Sequence, residues 1–184
     1  NPTGPLTVGH GRGAIFGDVV SNILRWNGYE VEREYYYNNA GRQMRLLGKS
    51  VQARYLELLD KPSHFPEQGY EGEYIIEIAK NIMEKRGDSL IDVDDLTIFI
   101  EVAEKKIFQD IENTLNRIGI TFDRYFNEQS LYESGALENV LNTLQKKNLI
   151  FKENGAVWFR ATAVGQKQDR VVIKSTGEPT YRLP

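Results

Sequence analysis

Residues 1–20 read NPTGPLTVGHGRGAIFGDVV, and a change of pattern inside this stretch decides how the chain begins to fold. Glycines and prolines dominate up to Gly13, and an apolar helical pattern then runs from Ala14 to Asn27. The apolar residues fall on two neighbouring stripes, which predict a helix buried on a wide face. The first stripe is Ile15, Val19, Ile23 and Trp26, and the second is Phe16, Val20 and Leu24. The stretch therefore predicts a glycine-rich loop that leads into a buried helix.

The glycines of this loop could serve a ligand. Gly9, Gly11 and Gly13 place bare backbone where a helix N-terminus, expected near Gly11, presents unpaired N–H groups and the positive end of its dipole. Such a site suits phosphate. The spacing is not the dinucleotide-binding fingerprint, and an ordinary tight turn explains the glycines equally well. His10 alone is typical of a hydrogen-bonding helix cap rather than of a catalyst.

The rest of the first half mixes strand and helix patterns. Residues 30–37 are rich in β-forming side chains and predict a strand, so loop, helix and strand form most of a βαβ unit whose first strand would precede residue 1. A helix is predicted over residues 43–59. Apolar spacing at residues 74–83 and 96–118 predicts two long helices that form an inserted layer.

The second half turns to β-structure. Residues 120–126 predict a strand, and Ser130 and Glu133 fit a capping box that starts a single helix continuing through Leu144. Residues 149–159, LIFKENGAVWF, predict a hairpin that turns at Asn154 and Gly155. RVVIKS at residues 170–175 and TYRL at residues 180–183 predict further short strands.

Composition excludes several classes of site. The sequence has no cysteine and two histidines, so it predicts no disulfide, no cysteine nucleophile and no structural metal. The net charge of −3 neither indicates nor excludes a nucleic-acid partner. No apolar run reaches the roughly 18 residues of a membrane span, so we expect a cytoplasmic protein without a membrane partner. The sequence starts without methionine and stops as a β-rich pattern begins, which predicts a part of a longer protein.

Several blocks resemble one family in order along the chain. NPTGPLTVGHGRG resembles the HIGH signature loop of class I aminoacyl-tRNA synthetases, and its NPTGPL start is similar to the arginyl-tRNA synthetases. Further blocks resemble the same family. They are REYYYNNAGRQ, GYEGEYIIEIA, FDRYFNEQSLYESG, GAVWFRATAVGQKQDRVVIKS and TYRLP. Together these blocks span nearly the whole sequence.

The resemblance implies a fold and a reaction. The fold is an α/β, Rossmann-like nucleotide-binding domain split by a helical insertion and incomplete at both ends. Residues 1–60 would be its first part with the HIGH-type loop, residues 61–147 the mainly helical insertion, and residues 148–184 the return to the catalytic domain. The reaction is activation of arginine by ATP with Mg²⁺ and transfer to tRNA(Arg), with no tightly bound cofactor and a monomeric enzyme.

The resemblance also implies the site residues. His10 would be catalytic; Thr7, Gly9, His10 and Gly11 would bind ATP; and Asn1, His10 and Tyr181 would bind arginine. The sequence departs from the family at two positions. Thr7 stands where the family has its first histidine, and Asn39 stands where aspartate is common, so Asn39 is assigned no contact.

Other interpretations stay open at this point. Another class I synthetase or nucleotidyltransferase would share the His10 loop, and a non-catalytic module could use the glycines to hold an anion. A tyrosine in a strand core is the alternative for Tyr181. The basic clusters at residues 80–87 and 144–148 fit solvated helix ends better than a tRNA contact, and Tyr35, Tyr36 and Tyr37 fit either a sheet core or a base-stacking surface.

Overall fold

Helices dominate the first part of the chain. The structure is a computed structural model that describes residues 1–39 and 41–184. Its first unit, Asn1–Phe126, holds four helices and a two-stranded sheet. The helices are α1 (Val8–Trp26), α2 (Arg42–Leu58), α3 (Glu73–Arg86) and α4 (Thr97–Arg117), and the strands are β1 (Glu34–Tyr37) and β2 (Arg124–Asn127), which ends one residue past the unit. The helices predicted at residues 43–59, 74–83 and 96–118 are confirmed, and the two strands are shorter than predicted.

The core of this unit lies between α2, α3 and α4. Each helix buries one apolar stripe at three- and four-residue spacing, as expected for helices that pack against each other. The buried residues include Leu47, Val51 and Tyr55 from α2, Ile75, Ile78 and Ile82 from α3, and Phe99, Ala103 and Ile107 from α4. Helices α2 and α4 approach closely at Gly48, where an added Cβ would lie 2.6 Å from Cγ1 of Ile100.

Helix α1 differs from the prediction in its start and in its burial. It begins at Val8, so the stretch predicted as a loop up to Gly13 is already helical. Thr7 is extended, and its carbonyl accepts the first helical hydrogen bond from Gly11 N at 3.0 Å. The helix contains no buried residue, and Phe16 is 72% exposed. The amphipathic pattern was correct, but α2, α3 and α4 bury their apolar faces against each other and leave α1 largely uncovered.

The tyrosines of β1 divide between the two faces of the strand. Tyr35 and Tyr37 are partly buried and contact the Phe108 ring, with centroids 5.9 and 4.8 Å away. Tyr36 points to the other face and stacks on Phe126 at 5.6 Å. The sheet-core interpretation therefore holds for Tyr35 and Tyr37.

The second unit, Asn127–Pro184, combines helices with a three-stranded antiparallel sheet. Its elements are α5 (Gln129–Glu133), α6 (Ala136–Lys146), β3 (Ile150–Glu153), β4 (Ala156–Phe159), a 3₁₀ turn (Ala161–Val164) and β5 (Arg170–Ile173), with sheet order β3-β4-β5. The predicted hairpin is confirmed, since Asn154 and Gly155 take the positive φ values of 49° and 77° that its turn needs.

Three predictions for this unit are wrong. The single helix after residue 130 is two helices, because Gly135 adopts a left-handed conformation with φ 69° between them. The Ser130 capping box is absent, since α5 begins at Gln129, whose N–H donates to Asn127 Oδ1 at 2.8 Å. Residues 180–183 form a turn, not a strand.

That turn is closed by Leu183 N, which donates to the Thr180 carbonyl at 3.1 Å. Pro179 makes a single bridge to Ile173, flanked by hydrogen bonds from Lys174 N to Glu178 O and from Thr180 N to Val172 O, both at 2.9 Å, and the turn then ends the pairing. Within the described residues, no helix has the length and apolar character needed to cross a membrane.

Candidate active site

The first turn of α1 brings Thr7, Gly9, His10 and Gly11 together. Thr7 is the N-cap, and its backbone N–H donates to Nδ1 of His10 at 3.1 Å. The Thr7 hydroxyl lies 3.2 Å from the same nitrogen. His10 thus takes the position that Glu or Gln has in a capping box, where the third helical side chain reaches back to the N-cap backbone.

This contact fixes the tautomer of a neutral His10. Because Nδ1 accepts the Thr7 N–H, the ring proton of neutral imidazole must lie on Nε2. The Nε2–H is then the free donor, and His10 is exposed. Thr7 therefore orients the ring in addition to starting the helix, which the sequence did not reveal.

The backbone around His10 suits an anion. The first N–H groups of a helix have no intrahelical acceptor and carry the positive end of the helix dipole. No acidic side chain lies in the first turn of α1 to occupy them. Chain neighbours and the local helix backbone aside, no atom lies within 4 Å of an ideal Cβ position at Gly11, and only the Thr7 hydroxyl does at Gly9, at 3.6 Å. No more distant part of the described chain therefore covers these two glycines.

An apolar groove continues from this turn along α1. It encloses about 710 Å³ and is lined at one end by Thr7 and Gly11. Further along, the lining is mostly aliphatic and aromatic. It comprises Leu6, Val8, Arg12, Ile15, Phe16, Val19, Thr114 and Ile118.

The segment before α1 is held by two contacts that the sequence analysis did not assign. The Asn1 carboxamide donates to Oε1 of Gln43, the last residue of the AGRQ block. The Tyr74 hydroxyl donates to the Thr3 carbonyl at 2.7 Å. Gln43 and Tyr74 both lie inside sequence blocks that resemble the family. The blocks could have indicated that these residues matter, but neither block predicts which residue each of them contacts.

Asn39, which was assigned no contact, has one. Its Nδ2 donates to Oε1 of Glu104 on α4 at 2.8 Å. Burial raises the pKa of Glu104. The hydrogen bond from Asn39 lowers this pKa, and the negative charge of Glu101 raises it further. An aspartate at position 39 would set two carboxylates against each other.

Tyr181 belongs to the second unit. It lies in the turn after Pro179, it is 81% exposed, and the Arg182 guanidinium lies 5.0 Å from its ring centroid. The alternative of a tyrosine in a strand core is therefore wrong. Across residues 1–39 and 41–184, no group of three or more His, Cys, Asp or Glu side chains is arranged to hold a metal ion.

A family model for the catalytic domain of class I arginine tRNA synthetases matches residues 1–183. The chain belongs to this arginyl-tRNA synthetase family. The resemblance inferred from the sequence blocks is thereby confirmed.

Individual arginyl-tRNA synthetases agree with the family model. The arginine–tRNA ligase of Desulfotalea psychrophila is 56% identical over 184 residues, which are 100% of this chain and 33% of that protein. The arginine–tRNA ligase of Salinibacter ruber is 48% identical over 200 residues, covering 100% of this chain and 36% of the relative. The chain thus spans about a third of the length of these relatives.

A solved structure confirms the predicted α/β fold of a class I synthetase. A Campylobacter jejuni protein, described as an arginyl-tRNA synthetase, superposes with a TM-score of 0.89 at 36% identity. The match covers 100% of this chain and 40% of that one. The division at residues 60 and 147 stays a prediction.

Proposed function

We propose that this chain is the ATP- and arginine-binding part of an arginine–tRNA ligase. The observation that carries the proposal is the family match over residues 1–183, which includes the first turn of α1 with His10. In the proposed reaction, the arginine carboxylate attacks the α-phosphate of ATP bound with Mg²⁺, and pyrophosphate leaves. The arginyl group of the resulting adenylate then passes to the terminal ribose of tRNA(Arg).

His10 is the proposed catalytic residue. In-line attack at phosphorus needs positioning and charge stabilisation more than covalent help from the protein. An Nε2–H donor, with Nδ1 held by Thr7, would strengthen its hydrogen bond as negative charge builds on the α-phosphate oxygens. One such preorganised donor contributes about 3 kcal/mol to a transition state.

The other site residues bind substrates in this proposal. Thr7, Gly9 and Gly11 would hold ATP, since glycine leaves no side chain at two positions of the first turn and a phosphate could approach the positive end of the helix dipole there. Asn1 and Tyr181 would contact arginine, whose guanidinium offers several donors to amide and hydroxyl oxygens. The Asn1 amide nitrogen already donates to Gln43, which leaves its Oδ1 as the acceptor for the substrate.

The test is exchange of pyrophosphate into ATP with a panel of amino acids. It uses the full-length protein, meaning a polypeptide of the relatives' length that contains residues 1–184, with tRNA(Arg) present. We expect exchange with arginine and with no other amino acid. Exchange with a different amino acid would indicate another class I synthetase, and ATP binding without exchange would indicate a non-catalytic module; either result contradicts the proposal.

A further inference from the structure

We propose that Tyr74, on the helical layer, is a positioning residue that holds the Asn1–Thr3 segment in its substrate-binding arrangement. The inference rests on the proposed function, because it gives Asn1 an arginine contact. It concerns how a residue far along the sequence fixes that contact.

The first argument is the hydrogen bond that joins the two segments. The Tyr74 hydroxyl donates to the Thr3 carbonyl at 2.7 Å, across 71 residues of sequence. Tyr74 is partly buried and also packs against the core of α2, α3 and α4. The carbonyl of Thr3, two residues after Asn1, is therefore tied to the hydrophobic core of the unit.

The second argument is the space made for the tyrosine ring. An added Cβ at Gly72 would lie 2.5 Å from Cε1 of Tyr74, and one at Gly4 would lie 3.0 Å from its hydroxyl oxygen. Neither glycine has a positive φ, so backbone conformation does not require glycine at either position. Both glycines instead leave room for Tyr74. Gly72 does so at the N-terminus of α3, and Gly4 does so in the segment before α1.

The third argument is that further contacts also restrain the Asn1–Thr3 segment. Pro2 is fully buried, and its ring and that of Pro5 restrict the backbone on either side of Thr3. The Asn1 side chain is held by Gln43. Three successive residues are thus each anchored: Asn1 by a side-chain bond, Pro2 by burial and Thr3 by Tyr74.

The hydroxyl of Tyr74 remains a donor at working pH. Burial, followed by the neighbouring Tyr70, raises the pKa of Tyr74 above its ordinary value of 10.0. The Thr3 carbonyl can only accept, so this protonation state is the one the contact needs.

The test compares Tyr74→Phe with Tyr55→Phe in the full-length protein. Tyr55 is a matched control, because its hydroxyl also donates to a backbone carbonyl at 2.7 Å, that of Gly87, inside the same helical layer. We expect Tyr74→Phe to raise the KM for arginine about three- to tenfold while the KM for ATP changes less than twofold. Tyr55→Phe should lower the melting temperature and leave the KM for arginine unchanged.

Gly4→Ala tests the Tyr74 contact by a change in the N-terminal segment. The new Cβ would press on the Tyr74 hydroxyl, so the KM for arginine should rise in this variant as well. In the Tyr74→Phe background the closest atom is gone, and Gly4→Ala should have a smaller effect there, which is the non-additivity expected of residues in contact.

The outcomes separate this inference from the proposed function. A wild-type protein that does not activate arginine contradicts the proposed function and the inference with it. An active wild type whose Tyr74→Phe variant keeps its KM for arginine, or loses arginine and ATP affinity equally, contradicts this inference alone.

Discussion

At the scale of single residues, Asn39 and Glu104 form a polar contact whose stability depends on pH. Burial raises the pKa of Glu104, so ionisation of Glu104 costs folding stability as pH rises through that pKa. The Asn39 amide offsets part of the cost by donating to the carboxylate at 2.8 Å. The amide at position 39 therefore suits a charged partner on α4.

Asn39→Asp should destabilise the full-length protein near pH 8 and much less near pH 5. At the higher pH two carboxylates face each other without the amide donor, at a cost of about 1–3 kcal/mol for the lost bond to a charged group. As pH falls, a proton shared by the pair restores a donor. Thermal unfolding midpoints at the two pH values measure the effect.

The double variant Asn39→Asp with Glu104→Gln is the control for this prediction. Removing the second carboxylate should return the midpoint at pH 8 most of the way to that of the wild type. A midpoint loss that is the same at both pH values, or that persists in the double variant, would show that charge repulsion is not the cause.

The site residues stay predictions, and the hydrogen-bond partners that the structure gives them were not predictable. The HIGH-type pattern predicts His10 as a site residue, and capping rules explain why Thr7 precedes it. The partners of Asn1, Thr3 and Asn39 lie 42, 71 and 65 residues away, however. Local periodicity carries no information about which distant side chain completes such a bond, because tertiary packing decides it.

At the scale of elements, the crossing of α2 and α4 depends on Gly48. An added Cβ at this position would lie 2.6 Å from Cγ1 of Ile100 and 3.4 Å from Cβ of Leu96. Backbone conformation does not require the glycine, since its φ is not positive. Glycine suits position 48 because α2 and α4 approach each other closely there.

Gly48→Ala should therefore destabilise the protein. Overpacking a tight crossing costs about 1–3 kcal/mol, which exceeds the gain of up to about 1 kcal/mol from alanine's better helix propensity. Chemical denaturation of the full-length protein measures the difference. Ile100→Ala removes the clashing atom, so the two substitutions should be less than additive; simple additivity or a stabilised Gly48→Ala variant would refute the clash.

Periodicity predicted whether a segment is a helix or a strand more reliably than it predicted the residues at which the segment begins and ends. Helices α2, α3 and α4 repeat apolar residues over many turns, which made them predictable. Helix α1 starts earlier than predicted because the Thr7 cap and the Gly11 hydrogen bond outweigh the low helix propensity of Gly9, Gly11 and Gly13. The left-handed Gly135 divides α5 from α6, and a single glycine of this kind is hard to distinguish by sequence from one inside a continuous helix.

At the scale of the whole molecule, the chain is about a third of the length of its relatives. The apolar face of α1 is exposed, with Ile23 at 56% and Phe16 at 72%. The two residues predicted to contact arginine, Asn1 and Tyr181, belong to the first and the second unit, respectively. Periodicity predicted the apolar face of α1, but it could not predict that this face stays exposed within residues 1–184.

Residues 1–184 alone should not form arginyl-adenylate. Catalysis by positioning fails when part of the binding constellation is missing, and these residues are 33% of the Desulfotalea psychrophila relative. Single-turnover assays of the purified 1–184 polypeptide and of the full-length protein, with equal ATP, arginine and tRNA(Arg), make the comparison. Measurable adenylate formation by the short polypeptide would contradict this expectation.

The central claim is that the first turn of α1 activates arginine through His10, with Thr7 acting mainly by holding the His10 ring. The decisive measurement is single-turnover formation of arginyl-adenylate by the full-length protein, with tRNA(Arg) present, for the wild type, His10→Ala and Thr7→Ala. We expect His10→Ala to lower the rate by on the order of 10²–10³ with little change in ATP affinity, because the bond strengthens mainly in the transition state. Thr7→Ala keeps the backbone N–H that donates to His10 Nδ1 and removes only the hydroxyl 3.2 Å from it, so it should lower the rate by less, about five- to tenfold for a bond of about 1–1.4 kcal/mol. Equal losses in the two variants, or a His10→Ala defect that saturating ATP removes, would contradict the account.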